Sequence, residues 1–398
     1  MDVKRICIVG GAGHVGLPLA LMLADCGMAV DILDRDEAAL MALRGGRMPF
    51  LEEGGEEMLR RVLPTGRLGM TTDPAIVRES QAVICVIGTP VDEHLSPQVV
   101  GFYRVIDELR PHFRAGQTLI LRSTVYPGLS ERIHRMFRES GPDVHVAFCP
   151  ERVAQGHSLR EIRDLPQIVS GFDETGLTVA REIFGKLAKE LIEVKPLEAE
   201  LAKLMCNCYR YITFAIANQF HMLATDAGVD FAQVHRATTW HYPRTEAMPR
   251  PGLAAGPCLL KDTMQLAAFA NNNFFLGHAA MLVNEGQPQF IVNCLKRRTD
   301  LGNKRVGILG MTFKADCDDT RDSLCFKLRK LLMLEAREVV THDPYLKGPA
   351  YLPLEDVVGK SDVIVVGVPH REYRGLRIPA GKIVEDVWGC LAPPEPRG

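Results

Sequence analysis

Six residues constrain this chain more than any others. Gly11-Ala12-Gly13-His14-Val15-Gly16 follow an apolar run at 6–9 and open a stretch of helical spacing at 17–26. A GxGxxG between strand and helix permits a tight turn, lets backbone approach a pyrophosphate, and aims the helix N-terminus at it. Alone the motif is weak, but here the next apolar run, 30–33, ends at Asp34. That is close to the usual spacing of about 20 residues, where a carboxylate can bind ribose hydroxyls. Its charge repels a 2′-phosphate and so favours NAD over NADP, although Arg35 beside it works the other way. The fingerprint by itself does not separate NAD from FAD. The candidate cofactor residues are therefore Gly11, Gly13, His14, Val15, Gly16, Asp34 and Arg35.

Further buried-strand runs at 82–87, 118–121 and 144–148 alternate with helical spacing, for example at 129–138. This alternation predicts a doubly wound parallel sheet. Residues 167–171 and a helix over 174–189 are expected to close it. From about 198 the pattern changes: 200–227 holds apolar residues at helical spacing with no Gly or Pro, enough for about seven turns. A helix of that length is expected to pack against its own copy in a homodimer, or else to act as an intramolecular strut. A turn at 248–252 leads into more helix up to 298. After a linker at 300–304, strand-like runs return at 306–309, 339–342, 363–366 and 383–384, with a helix over 323–335. The expected fold is α/β, with two Rossmann-like doubly wound domains joined by a long central helix and a helical middle domain. The expected boundaries are 1–193, 194–299 and 300–398. The tail LAPPEPRG is expected to fray.

Composition removes several classes of function. Of 398 residues, 47 are Lys or Arg and 49 Asp or Glu, a formal charge of −2, which argues against nucleic acid as a partner. No run approaches the ~20 apolar residues that span a bilayer, and the first residues lack an apolar leader core. Eleven scattered cysteines, with no CxxC pair, fit reduced thiols in a cytoplasmic enzyme. No His/Asp cluster has convincing metal-ligand spacing, so no metal is expected.

The stretch Pro251-Gly252-Leu253-Ala254-Ala255-Gly256-Pro257-Cys258-Leu259-Leu260-Lys261-Asp262 places a cysteine at a helix start, where N–H dipoles stabilise a thiolate. Taken alone, such a cysteine is more often an inert small hydrophobe. Here, however, the chain resembles the nucleotide-sugar 6-dehydrogenases, the family of UDP-glucose, GDP-mannose and UDP-N-acetylmannosamine dehydrogenases, whose signature reads Gly-Gly-x-Cys-(Phe/Leu/Ile)-x-Lys-Asp. The resemblance runs from Ile6 to about Val387, with motifs in order in all three segments. It implies NAD as cofactor, a UDP-sugar substrate, Cys258 as nucleophile and Asp262 as the residue that orients or activates water. Glu200-Leu201-Ala202-Lys203-Leu204-Met205-Cys206-Asn207 is similar to the family's central-helix motif. It gives Lys203 and Asn207, four apart on one face, the task of stabilising oxyanions. Ser123-Thr124-Val125 resembles the loop whose threonine holds water and substrate beside the cofactor. Cys149-Pro150-Glu151-Arg152-Val153 resembles the Pro-Glu motif, with Glu151 a candidate general base. Gly88-Thr89-Pro90 resembles the loop over the nicotinamide. Phe313-Lys314 and Arg321 lie in a segment similar to the Phe-Lys-x-x-x-x-Asp-x-Arg-x-Ser signature of the UDP-binding domain. The resemblance places Lys314 near the sugar nucleotide and Arg321 near the NAD phosphates. The partial glycine turn at 307–310 disfavours a second dinucleotide.

The family chemistry implies a four-electron oxidation of a primary alcohol to a uronate through a thiohemiacetal and a thioester on Cys258. For the sugar, Glu151-Arg152-Val153 and His241-Tyr242-Pro243-Arg244 resemble the N-acetylhexosamine branch, UDP-N-acetylmannosamine or UDP-N-acetylglucosamine. In that branch the arginine reaches the neighbouring subunit's substrate, which makes Arg244 a candidate. Lys261 before Asp262 is more typical of the UDP-glucose and GDP-mannose branches. Ala255-Gly256-Pro257 departs from Gly-Gly-x and bears on the shape of the cysteine loop. Two rival readings stand beside this one: a nucleotide-sugar or NAD sensor without turnover, and a two-electron hydroxyacid dehydrogenase that needs no cysteine.

Overall fold

The computed structural model describes residues 3–92 and 94–391. The proline-rich tail after Leu391 lies outside them. The chain divides into two compact units, Met1–Cys206 with Met264–Ala270, and Asn207–Thr263 with Asn271–Gly398.

In the first unit β1 (Arg5–Val9), β2 (Ala29–Leu33), β3 (Leu68–Thr71), β4 (Ala82–Cys85), β5 (Thr118–Leu121) and β6 (His145–Phe148) form one parallel sheet in the order β3-β2-β1-β4-β5-β6. All residues of β4 and β5 are buried, as expected when helices cover both faces of a parallel sheet. Alternate side chains of β1 serve different cores, Ile6 and Ile8 on one face, Cys7 and Val9 on the other, following the period of two in a strand. The edge strand β3 reads LGMT and is only half-buried, so no apolar run announces it. The strand predicted over 82–87 stops at Cys85, where the chain leaves the sheet. Strand order reverses between β1 and β4, and at such a reversal the loops leaving the carboxyl ends part to form a crevice.

After the large sheet, β7 (Gln167–Val169) and β8 (Leu191–Glu193) pair with each other in a separate two-stranded parallel sheet. The helix between them, Glu174–Gly185, is capped by Asp173 and ends four residues short of the predicted 189. The long helix runs Pro196–Asp226, 31 residues. In the second unit β9 (Arg305–Leu309), β10 (Glu338–His342), β11 (Val363–Val366) and β12 (Ile383–Glu385) make a smaller parallel sheet in the order β10-β9-β11-β12. The helix Phe275–Arg298 precedes it, and Leu324–Glu335 follows β9. Two Rossmann-like sheets and an intervening helical stretch are thus present. Among the described residues no helix is long and apolar enough to cross a membrane.

Candidate active site

Every candidate in the first unit up to Glu151 sits on a loop leaving the carboxyl end of a sheet strand, except Gly16, which opens the helix after the first such loop. After β1 the chain turns through Gly10 at φ +78°, and Leu17 N–H donates to Gly13 carbonyl at 2.9 Å to start the helix Gly16–Asp25. A Cβ on Gly11 would lie 2.8 Å from Ile8 carbonyl oxygen, and one on Gly16 would lie 2.6 Å from Gly10 oxygen and Gly11 Cα. Packing therefore demands both glycines. A Cβ on Gly13 would meet only Gly10 oxygen, at 3.5 Å. The protein leaves that side open, and the room is what a close-lying pyrophosphate needs. Asp34 at the end of β2 accepts from Ala12 N–H and Asp36 N–H, each at 3.0 Å, and its oxygens keep lone pairs for ribose hydroxyls. The cradle fits NAD. Val15 precedes the helix without a side-chain cap, His14 stacks on Phe50 at 4.0 Å, and Arg35 is exposed beside Asp34.

Beyond β4 the half-buried Thr89 donates its hydroxyl to Thr124 carbonyl, which joins the loops after β4 and β5. Pro90 is exposed. After β6, Glu151 is buried and meets Arg122, a fully buried residue that sequence reasoning missed. Arg122 also donates to Cys149 carbonyl at 3.0 Å and Gln167 at 2.9 Å, and its guanidinium lies 4.6 Å from the centre of the Phe184 ring. The other Glu151 oxygen accepts from Arg152 N–H at 2.7 Å and Val153 N–H at 3.0 Å. Arg152 reaches Pro166 carbonyl. Glu52, also missed, holds the same loop through Gly156 N–H at 3.0 Å and Ser158 hydroxyl and Leu159 N–H at 3.2 Å. Burial pushes the Glu52 carboxyl above its ordinary range, against those hydrogen bonds. Lys203 is 9% exposed, and among the described residues it has no hydrogen-bond or ion-pair partner. A buried cation in that condition suits an arriving anion or a developing oxyanion.

In the second unit Cys258 is exposed and immediately precedes the helix Leu259–Phe269, its carbonyl accepting from Asp262 N–H at 2.8 Å. Asp262 is fully buried, receives the Asn207 amide at 2.5 Å, and lies 2.9 Å from Lys261 Nζ. That lysine approaches at a poor angle, so Asp262 Oδ1 has no aligned donor. Neighbouring Cys208, by contrast, is buried and its thiol is pushed up to about 11 by desolvation, which leaves it inert at neutral pH. Gly256 sits at φ +106°, and a Cβ there would fall 2.4 Å from Phe313. Lys314 follows on the same loop. Gly256 N–H also donates to Asp322 carbonyl at 3.3 Å, bringing the cysteine loop to the segment that carries Arg321. Arg321 is held by the carboxylate of Asp319 at 2.6–3.0 Å and lies within charge range of Cys258. Arg244 is exposed, over the ring of Tyr242.

The second sheet repeats the bracing of the first. Asp343 after β10 accepts from Met311 and Thr312 N–H at 2.7 and 3.2 Å, and from Tyr345 N–H at 2.9 Å; His370 Nε2 lies 3.2 Å away. Its side chain has no exposed surface, so it cannot offer a ribose the acceptor that Asp34 offers.

Three domain models of one family match in chain order. These are the UDP-glucose/GDP-mannose dehydrogenase family NAD binding domain over 4–188, its central domain over 197–285, and its UDP binding domain over 307–393. A UDP-N-acetyl-D-mannosamine dehydrogenase of Methanococcus aeolicus is 28% identical over 387 residues, covering 94% of this chain and 86% of the relative. Among solved structures, a UDP-D-ManNAc dehydrogenase from Pyrococcus horikoshii is similar at TM-score 0.89 and 27% identity, covering 97% of this chain and 99% of that one. A UDP-glucose dehydrogenase from Pyrobaculum islandicum is similar at TM-score 0.89 and 26% identity, over 97% and 94%. With the glycine cradle, the exposed thiol and these matches in agreement, the chain belongs to the UDP-glucose/GDP-mannose dehydrogenase family and is an NAD-dependent nucleotide-sugar dehydrogenase.

Proposed function

We propose that this enzyme oxidises the C6 hydroxymethyl of UDP-N-acetylmannosamine to the uronate, with UDP-N-acetylglucosamine as the close alternative sugar. The observation that carries the chemistry is the exposed Cys258 thiol one residue before a helix whose first turn carries buried Asp262, which accepts from Asn207 of the long helix. Gly11, Gly13, Gly16 and Asp34 would hold NAD, which when bound would supply the hydride acceptor for both oxidations. Cys258 adds to the C6 aldehyde to give a thiohemiacetal and holds the acyl group as a thioester after the second oxidation. Water then displaces the sulfur. The balance is alcohol plus water to carboxylate, with four electrons leaving as two hydrides and three protons released. Lys203 and the free Asn207 N–H stabilise the tetrahedral oxyanions. Asp262, held by Asn207 and paired with Lys261, aligns the water, and Thr124 holds water and substrate. Glu151, braced by Arg122, shapes the sugar loop with Arg152 and Val153 and is the candidate base there. Phe313, Lys314 and Gly256 bound the nucleotide-sugar side, and Arg321 and Thr89-Pro90 serve the cofactor.

The mannosamine assignment is supported by the name of the Methanococcus relative and by the Arg152-Val153 and Arg244 segments. The equal likeness to a UDP-glucose dehydrogenase structure keeps UDP-glucose as the second reading. The enzyme acts in the cytoplasm, a reading supported by eleven cysteines of which none is in a disulfide, and as a homodimer through the long helix. The test is NADH released per sugar across a panel of UDP- and GDP-sugars. Two per sugar with UDP-N-acetylmannosamine is expected, and Cys258→Ser should stop or greatly slow release of the uronate. One NADH per sugar from the unmodified enzyme defeats the four-electron scheme.

A further inference from the structure

One fully buried carboxylate has no task in this chemistry. Glu200 lies on the long helix three residues before Lys203 and is 1% exposed. Its two oxygens accept from Gly128 N–H at 2.6 Å and Ser130 N–H at 2.9 Å, groups more than 69 residues earlier in the chain. These amides belong to the N-terminus of the helix Leu129–Ser140, whose cap residue Gly128 sits at φ +90° and supplies no side-chain cap. Burial pushes the Glu200 carboxyl above its ordinary range, against the Gly128 and Ser130 bonds. A helix N-terminus favours a carboxylate, but a local one suffices elsewhere: Asp173 caps its own helix through Gly176 N–H at 2.8 Å. Capping from a distant helix does more than end a helix, because it joins two pieces of chain. One piece is the turn 123–128, which carries Thr124 and is already tied to the β4 loop through Thr89. The other is the turn of the long helix that carries Lys203, buried and without a partner among the described residues.

We propose that Glu200 is a positioning residue that locks the Thr124 turn to the Lys203 turn, so that hydroxyl and ammonium meet the substrate in one fixed geometry. The proposal rests on the roles given to Thr124 and Lys203 above. A misplacement of about 1 Å can cost ~100-fold in rate, so the lock matters to turnover more than to folding. Glu200→Gln keeps the size but presents one acceptor and one donor to two N–H groups, so one of them loses its partner.

The test measures Tm, NAD affinity by fluorescence titration, and kcat and KM for Glu200→Gln, Lys203→Ala, the double variant and Asp173→Ala. The expected result is a kcat reduced about 10- to 100-fold in Glu200→Gln with NAD affinity unchanged. The double variant should be no slower than Lys203→Ala, since Glu200 acts through that lysine. Asp173→Ala should lose comparable Tm and keep its kcat. If Glu200→Gln loses Tm like Asp173→Ala but turns over normally, Glu200 is only a cap; if it is slow and the double variant is additively slower, its effect does not pass through Lys203; either result overturns the proposal. If Lys203→Ala is itself fully active, the fault lies in the role assigned to Lys203, a result distinct from the other two.

Discussion

At position 256 glycine is dictated twice, by a φ of +106° and by the face of Phe313, 2.4 Å from where a Cβ would stand. Its neighbours carry no such demand. Ala255 is absent from the residues with positive φ and packs its methyl against the second unit's core, so a methyl is tolerated there. The departure from Gly-Gly-x therefore keeps glycine where the backbone needs it. Gly256→Ala would have to move the Phe313 ring, the backbone, or both, and with them the Cys258 loop. Left-handed backbone in a non-glycine residue costs about 1–3 kcal/mol, and where the Cys258 loop shifts to relieve it kcat/KM is expected to fall on the order of 5- to 150-fold. Ala255→Gly removes only a half-buried methyl and leaves the thiol's helix start in place, so it should change it less than about threefold. Iodoacetamide labelling of Cys258 in both variants, alongside steady-state kinetics, checks whether the loss follows the thiol's setting.

At the scale of elements, one device appears in both sheets: an aspartate ending the second strand in sequence order of a Rossmann-like fold braces the turn after the first. Asp34 does so through Ala12, and Asp343 through Met311 and Thr312. Burial works against the Asp343 charge, but His370 and the backbone N–H groups outweigh it and hold its carboxyl below the ordinary range. A depressed folded-state value means that the stabilisation is fully present above the unfolded value, about 3.9, and is lost as pH falls through the folded one. Asp343→Asn should therefore cost about 1–3 kcal/mol near neutrality, with the gap to the unmodified protein narrowing below about pH 4. Thermal unfolding of both proteins from pH 7 to 3 measures this, and a gap that stays constant with pH would exclude the mechanism. The parallel between Asp34 and Asp343 was open to sequence reasoning, since both end apolar runs. Strands of continuous apolar residues and motifs with fixed spacing were legible because their causes are local. Arg122 with Glu151, and Glu52 with the 156–159 amides, were not: their partners lie 29 and 104–107 residues away. A lone charge in a strand end or loop carries no sign of which distant group it will meet, and β3 was missed because an edge strand needs only half an apolar face.

For the molecule as a whole, the long helix has apolar residues on more sides than one chain covers. Leu204, Cys208, Tyr211 and Ala215 are buried, at spacings of three and four, and make the face turned to the protein's own core. Met205, Tyr209, Ile216, Phe220 and Leu223 repeat the same rhythm one step on, yet are 43–69% exposed. A second apolar stripe of large side chains on a surface helix is the kind of patch that marks an interaction face. A two-fold axis lets the same stripe meet itself, which is the commonest way for a chain to close on a copy. Tyr209→Asp with Leu223→Asp should then convert a dimer to a monomer by light scattering, without loss of the far-UV CD signal. If instead the unmodified enzyme is already a monomer, the stripe has another use. The proposed role of Arg244 adds a sharper consequence. If each site takes that arginine from the other subunit, Arg244→Ala and Cys258→Ser are each inactive alone. A hybrid dimer of the two holds one site with both an intact thiol and the partner's Arg244. Random pairing of the co-expressed chains then makes about half the dimers hybrid, each with one competent site, and restores about a quarter of normal turnover. If Arg244→Ala is inactive alone and mixing gives no recovery, the arginine serves its own subunit's site.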